Sequence, residues 1–221
     1  MIKGCIFDLD GTLTNTLESL TYSVNLTLKE MHLPLISEDQ CRLFVGEGAK
    51  KLMERTMKAC GDEKLERLDE ALAIYSRIFH DNCTYHVTPY DGIVTMLHEL
   101  KKMHIRLAVL SNKPHGQAVD VVSHFFEEGI FDYVQGQCED LPRKPDPAGV
   151  LYLLKKMDLN KEECIYVGDS ETDIETACAA GLTELAATWG FRSRKALEQA
   201  GASLLIDRPE DLTEYLRTCQ D

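Results

Sequence analysis

From position 90 onward the chain alternates short apolar runs with amphipathic stretches, and that rhythm leaves few folds open to it. The runs are residues 105–110, 131–134, 164–167, 182–187 and 203–206, and a sixth, 2–9, opens the chain. All are strand length; 2–9 stops at carboxylates and Gly11, as a buried parallel strand does when its carboxyl end opens into a loop. Between the runs, residues 92–103 place Ile93, Met96, Leu97 and Leu100 on one helical face. Residues 147–157 begin with Pro147, at a helix position where the missing N–H is no loss. Strand and helix in turn predict an α/β fold, a parallel sheet with helices on both faces.

Residues 15–85 break the rhythm, with helical signals and no convincing strand. Ser37 followed by Gln40 has the spacing of a capping box, and Leu65, Leu68, Leu72, Tyr75 and Phe79 trace one face of a long helix. The expected organisation is an α/β core of residues 1–14 and 86–221 with a helical cap of residues 15–85 inserted after the first strand. An insertion there projects from the carboxyl edge of the sheet, where open α/β sheets bind ligands.

Charge and cysteine usage narrow the partners. With 24 basic and 37 acidic side chains among 221 residues, the formal charge of −13 repels nucleic acid and anionic membrane. No run approaches the roughly 18 apolar residues a membrane helix requires, and Asp8 interrupts the first run before it could serve as a signal core. Eight cysteines lie scattered without a CxxC pair, which argues against zinc and for a reducing cytoplasm. The expectation is a cytoplasmic monomer or weak homodimer acting on a small molecule.

Four runs carry chemistry. Asp8-Leu9-Asp10-Gly11-Thr12 puts two carboxylates two residues apart where a strand ends, with a glycine that permits a sharp turn. Val109-Leu110-Ser111-Asn112 ends a second strand in a hydroxyl and an amide. Arg143-Lys144-Pro145 supplies a cation before a helix, and Gly168-Asp169-Ser170-Glu171-Thr172-Asp173 ends another strand in acids.

Together, and in this order, the four runs resemble the four motifs of the haloacid dehalogenase superfamily. The resemblance implies a Rossmann-like core with a helical cap, and a phosphatase rather than a dehalogenase, because Asp10 stands where the dehalogenases lack an acid. It makes Asp8 the nucleophile and Asp10 the general acid and base, with Ser111 and Lys144 completing the catalytic set. Two acids and a phosphate dianion in one pocket call for a hard cation, for which Mg2+ fits best. By resemblance its ligands are the carboxylates of Asp8 and Asp169 and the Asp10 carbonyl, with Asp173 in support. Phosphoryl oxygens would meet Ser111, Lys144 and the amides near Asp10, Gly11 and Asn112.

Further runs are similar to those of the phosphoglycolate phosphatases within the superfamily. They are Val45-Gly46-Glu47-Gly48 followed by Leu52, Ser111-Asn112-Lys113-Pro114, and Thr188-Trp189-Gly190-Phe191. Glu18, Tyr22, Arg42, Gly46, Lys51 and Lys113 are the candidates for contacting the leaving group. A pyrophosphatase or a sugar-phosphate mutase would share the aspartyl-phosphate step, but Gly48-Ala49-Lys50 lacks the arginine that such mutases tend to carry there. A non-catalytic binding or regulatory protein is the reading from another class, and retention of every catalytic position argues against it. Many relatives carry Asp-Ser where this chain has Asn15-Thr16, at the hinge into the cap.

Overall fold

The computed structural model describes residues 1–219. In chain order its elements are β1 (Gly4–Phe7), β2 (Thr14–Asn15), α1 (Leu17–Glu30), α2 (Glu38–Phe44), α3 (Gly48–Ala59), α4 (Leu68–Asn82) and β3 (Thr88–Pro89). There follow α5 (Ile93–Lys102), β4 (Arg106–Pro114), α6 (His115–Phe125), β5 (Tyr133–Gln137), α7 (Ala148–Met157), β6 (Cys164–Gly168) and α8 (Glu171–Ala180). The last are β7 (Thr183–Ala187), α9 (Arg194–Gln199), β8 (Leu205–Ile206) and α10 (Pro209–Thr218).

All six runs expected to form strands do so, and they join in one sheet of order β5-β4-β1-β6-β7-β8 whose pairings are all parallel. Ile6 lies opposite Ala108 on one side and Tyr166 on the other, and Phe7 lies opposite Val109 and Val167. β1 is therefore central and wholly buried, which is why its sequence is apolar at every position and does not alternate. From β1 the strand order departs in opposite directions, through β4 to β5 and through β6 to β8. Such a reversal leaves a crevice at the carboxyl ends of the strands it separates.

Helices seal both faces. Ile6, Ala108 and Tyr166 pack with Val150, Leu153 and Met157 of α7 and Ala177 and Ala180 of α8. On the other face Phe7 and Val167 turn toward Ile93 and Met96 of α5 and Leu212 of α10. A fully buried side chain such as Ile6 contributes roughly 1.5–3 kcal/mol by leaving water. β4 outruns its expected end at residue 110: its pairing with β5 shifts register between Leu110 and Pro114, so residues 111–114 continue past the strand the sequence indicates. The short pair β2 and β3 was not expected from sequence; two residues each give no periodicity to read.

The chain forms two compact units, one of Met1–Asn15 with the chain from Pro89 onward, the other of Thr16–Thr88. The second is helical apart from Thr88, which opens β3, with α1 packed on α2 and α4, and α3 on α2 and α4. The capping box at the start of α2 is formed: the Gln40 N–H donates to Ser37 Oγ at 3.2 Å and the Ser37 N–H to Gln40 Oε1 at 2.9 Å. The long helix begins later than the pattern of leucines predicts. Leu65 precedes it with φ +58°, and the Asp62 carboxylate accepts from the N–H groups of Glu66 and Arg67 at 2.9 and 3.0 Å, forming a capped turn instead. The buried stripe of α4 is Ala71, Tyr75, Ile78 and Phe79, with Leu68 and Leu72 half-buried at its margin.

Candidate active site

The carboxyl end of β1 delivers the first two acids. The Asp8 N–H donates to the Val167 carbonyl at 2.9 Å, extending the sheet ladder by one residue and holding Asp8 against β6. Leu9 is fully buried, and the chain then turns, with the Gly11 N–H donating to the Thr14 carbonyl at 2.9 Å. That amide is spent inside the loop; what the site needs from Gly11 is its shape. Its φ is +94°, and a Cβ would stand 2.4 Å from Asp169 Oδ2. Gly190 is excluded from larger side chains in the same way, since a Cβ there would lie 2.4 Å from the Gly11 carbonyl and from the Asp169 Cβ.

The carboxyl end of β6 delivers the others. Asp169 Oδ1 accepts from Thr12 Oγ1 at 3.2 Å and Oδ2 from the Phe191 N–H at 2.7 Å, so both oxygens are aimed by neighbours. Asp173, in the first turn of α8, has no exposed side-chain surface. Its Oδ2 accepts from the N–H groups of Asp169 and Ser170 at 3.2 and 3.1 Å and from Ser170 Oγ at 2.5 Å. Its Oδ1 accepts from Lys144 Nζ at 2.7 Å and Tyr166 Oη at 3.0 Å. This acid ties the loop, the lysine and β6 together.

Lys144 sits at the centre. Its ammonium lies 2.7 Å from Asp173 Oδ1, 2.8 Å from Asp8 Oδ1 and 3.1 Å from Tyr166 Oη, three acceptors for its three N–H groups. Asn112 holds the backbone beneath it: the Lys144 N–H donates to Asn112 Oδ1 at 2.9 Å and Asn112 Nδ2 donates to the Lys144 carbonyl at 3.1 Å. Ser111, buried beside it, accepts the Lys113 N–H on Oγ at 3.2 Å. Lys113 Nζ in turn lies 3.0 Å from Asp10 Oδ1. The structure thus gathers Asp8, Asp10, Gly11, Ser111, Asn112, Lys113, Lys144, Asp169 and Asp173 from three strand ends, the loop that precedes α7 and the first turn of α8.

Electrostatics explain what this arrangement asks for. Burial, then the charge of Asp173, pushes the Asp8 carboxyl well above the usual carboxylate range, although Lys144 pulls it down. Asp169 is pushed up to about 7 by burial and by Asp173. Burial opposes charge on Lys144 as well, but Asp173 and Asp8 outweigh it and hold the ammonium well above its ordinary range. Oxygens of Asp8, Asp169 and Asp173 lie within 4.8 Å of one another around this one ammonium, so the ionised cluster carries two surplus negative charges. A hard divalent cation fits both that charge and the all-oxygen donor set. Asp8 and Asp169 are the better placed carboxylate donors, because each Asp169 oxygen accepts one hydrogen bond and keeps a lone pair, whereas Asp173 Oδ1 accepts two and Oδ2 three.

The remaining candidates lie in the helical unit and have local partners there. Glu18 meets His86 Nδ1 at 2.6 Å, and Tyr22 stacks on Tyr85 with centroids 4.2 Å apart. Arg42 lies 3.5 Å from Glu38 and Lys51 lies 2.9 Å from Glu54. Gly46 takes φ +116°, and its neighbour Glu47 pairs with Arg55.

Five residues in and around the core site were given no part in it from sequence. Tyr166 looks like any strand aromatic until its hydroxyl is seen between Lys144 and Asp173. Thr12 and the Phe191 N–H orient Asp169, and Trp189 Nε1 donates to the Thr12 carbonyl at 2.9 Å; the run of residues 188–191 was the available signal. Glu184, opposite Tyr166 on β7, is a buried carboxyl with no hydrogen-bond partner for Oε1, pushed up to about 8 by burial and by Asp173.

Known proteins share this frame. The family model of haloacid dehalogenase-like hydrolases matches residues 5–187. The chain is 34% identical to a phosphoglycolate phosphatase of Rhodospirillum rubrum over 98% of its own length and 91% of the relative's. It is 30% identical to phosphoglycolate phosphatase 1 of Pseudomonas aeruginosa, over 94% of this chain and 77% of that one. Among solved structures, a predicted phosphoglycolate phosphatase from Haemophilus somnus superposes with a TM-score of 0.89 at 28% identity, covering 97% of this chain and 98% of its own.

Proposed function

Because the chain belongs to the haloacid dehalogenase-like hydrolases, we propose that it hydrolyses small phosphomonoesters through an aspartyl-phosphate on Asp8, with Mg2+ as cofactor and phosphoglycolate as substrate. The observation that carries this reading is the buried Asp8 carboxylate, held through Oδ1 by Lys144 with a second acid two residues away. An ammonium on one oxygen leaves the other to attack phosphorus in line with the ester oxygen.

In the first displacement the bond from Asp8 to phosphorus forms, the ester P–O bond breaks, and Asp10 gives its proton to the departing oxygen. In the second, Asp10 takes a proton from water as that water attacks the phosphorus of the aspartyl-phosphate, releasing phosphate and Asp8. Ser111 Oγ and backbone amides of the loops donate to the phosphoryl oxygens, and Lys144 keeps the nucleophile oriented throughout. The Asp8 and Asp169 carboxylates and the Asp10 carbonyl would hold Mg2+, with Asp173 fixing the loop beneath them; when bound, the ion neutralises charge on nucleophile and phosphoryl group together.

The helical unit is read as a cap that selects the leaving group, with Glu18, Tyr22, Arg42, Gly46 and Lys51 as its contacts. Phosphoglycolate is carried over from the relatives' names. Eight cysteines with no disulfide among them suit a reducing cytoplasm, and no helix among the described residues is long and apolar enough to cross a membrane. The test is a kcat/KM screen of the protein with Mg2+ against phosphoglycolate, other small phosphomonoesters, pyrophosphate and sugar phosphates, with Asp8→Asn as control. Phosphoglycolate should lead the panel and Asp8→Asn should be inactive throughout. Near-normal turnover by Asp8→Asn refutes the nucleophile, and a preference for pyrophosphate or sugar phosphates refutes the substrate.

A further inference from the structure

Lys113 differs from every other charged candidate for the leaving group. Its side chain is 1% exposed, whereas those of Glu18, Arg42 and Lys51 are 55%, 39% and 49% exposed. A lysine is almost never that buried unless its charge is answered, and its ammonium lies 3.0 Å from Asp10 Oδ1. The fold goes to some length to place it. β1 ends opposite Val109 on β4, yet β4 continues through its register shift to Pro114, which brings Lys113 alongside the turn that carries Asp10. The backbone under Lys113 is pinned by its own N–H on Ser111 Oγ, and the adjacent Asn112 is clamped to the Lys144 backbone by two hydrogen bonds.

Asp10 is mounted less firmly. Its backbone bridges to Thr14 at the mouth of the turn, but its side chain is 19% exposed and its carboxylate has two torsions to settle. We propose that Lys113 is a positioning residue that aims the Asp10 carboxyl at the leaving oxygen and so sets how well the enzyme handles poor leaving groups. The inference rests on the role given to Asp10 above. An ammonium only donates hydrogen bonds, so Oδ1, which accepts from Lys113, is the oxygen without the proton. Oδ2 then carries the proton that passes to the departing oxygen as the ester P–O bond breaks. Without Lys113 the carboxyl rotates among its rotamers and the proton is delivered from the wrong direction in most of them.

The measurement is kcat/KM, which covers the steps up to release of the alcohol, for two substrates of the full-length protein with Mg2+. One is p-nitrophenyl phosphate, whose acidic phenol departs with little need of a proton. The other is phosphoglycolate or the best alkyl phosphomonoester of the screen, whose alkoxide cannot. Lys113→Met should raise the aryl-to-alkyl ratio of kcat/KM by about 10–100-fold, since misplacing a catalytic group by an ångström costs up to about 10²-fold. Asp10→Asn should raise it at least as far, and the double variant should add nothing to Asp10→Asn, because the two residues act as one unit. Lys113→Gln repeats the comparison should the methionine variant not fold.

A merely structural lysine would lower both substrates alike and leave the ratio unchanged. That result, with Asp10→Asn still shifting the ratio, overturns the proposal alone. An unshifted ratio in Asp10→Asn itself overturns the role of Asp10 and this inference together. A further shift in the double variant shows that Lys113 acts independently of Asp10, which also overturns it.

Discussion

Replacing Glu184 by glutamine should make the protein more stable as pH rises, and the size of the effect can be worked from one buried carboxyl. Glu184 is 7% exposed, faces the Asp173 charge, and is pushed from the ordinary 4.5 to about 8. The folded chain therefore keeps a proton that the unfolded chain releases. Stability from this group is full below pH 4.5 and is lost as pH rises toward 8. Each pH unit of that window is worth about 1.4 kcal/mol, which sets a ceiling of about 5 kcal/mol above pH 8 and about 3 kcal/mol between pH 5 and 7.

Glutamine has no proton to lose, so the variant escapes this slope. Its buried amide adds a cost of its own, but one that does not vary with pH. For a chain of this length about 3 kcal/mol corresponds to roughly 6–12 °C in Tm. Thermal melts of both proteins at several pH values from 5 to 9 read the difference directly. The Tm advantage of Glu184→Gln should climb with pH and level off above about 8. A difference that stays flat across the range would show that Glu184 ionises normally and that the interior around Tyr166 is far better solvated than its burial indicates.

Two other outcomes follow from the site. Treatment with EDTA should abolish phosphatase activity and added Mg2+ should restore it, because the surplus negative charge around Lys144 opposes a phosphate dianion; full activity in chelator would contradict the metal site. Gly11→Ala should lower activity by at least about tenfold, the added methyl meeting Asp169 and the left-handed backbone costing a further 1–2 kcal/mol. Wild-type kcat/KM in that variant would show that the loop tolerates movement the close packing forbids.

How much could be read without coordinates follows from the kind of signal each feature leaves. The strands of the core were legible because a sheet covered on both faces demands apolar runs, and β1, β4 and β6 show them. The length of β4 was not, since a register shift through Asn112 and Lys113 leaves no pattern in residue type. The start of α4 was misjudged because Leu65 fits the helical period while the Asp62 cap and a left-handed φ place it outside. At the site the acids and Lys144 stood out by chemistry. Tyr166 and Thr12 did not, because a residue that acts by holding another is recognisable only by what it touches, and Glu184 did not, because a strand glutamate shows its burial only in the fold. Lys113 was found as a charge, but its partner Asp10, 103 positions away, appeared only in the fold.

The central claim is that Asp8 attacks phosphorus itself, and the stereochemical course at phosphorus tests it most directly. With an ester made chiral by oxygen isotopes and hydrolysed in labelled water, two successive in-line displacements predict net retention of configuration. Inversion would mean that water attacks the ester in one step, and Asp8 would then be no more than a ligand beside the reaction.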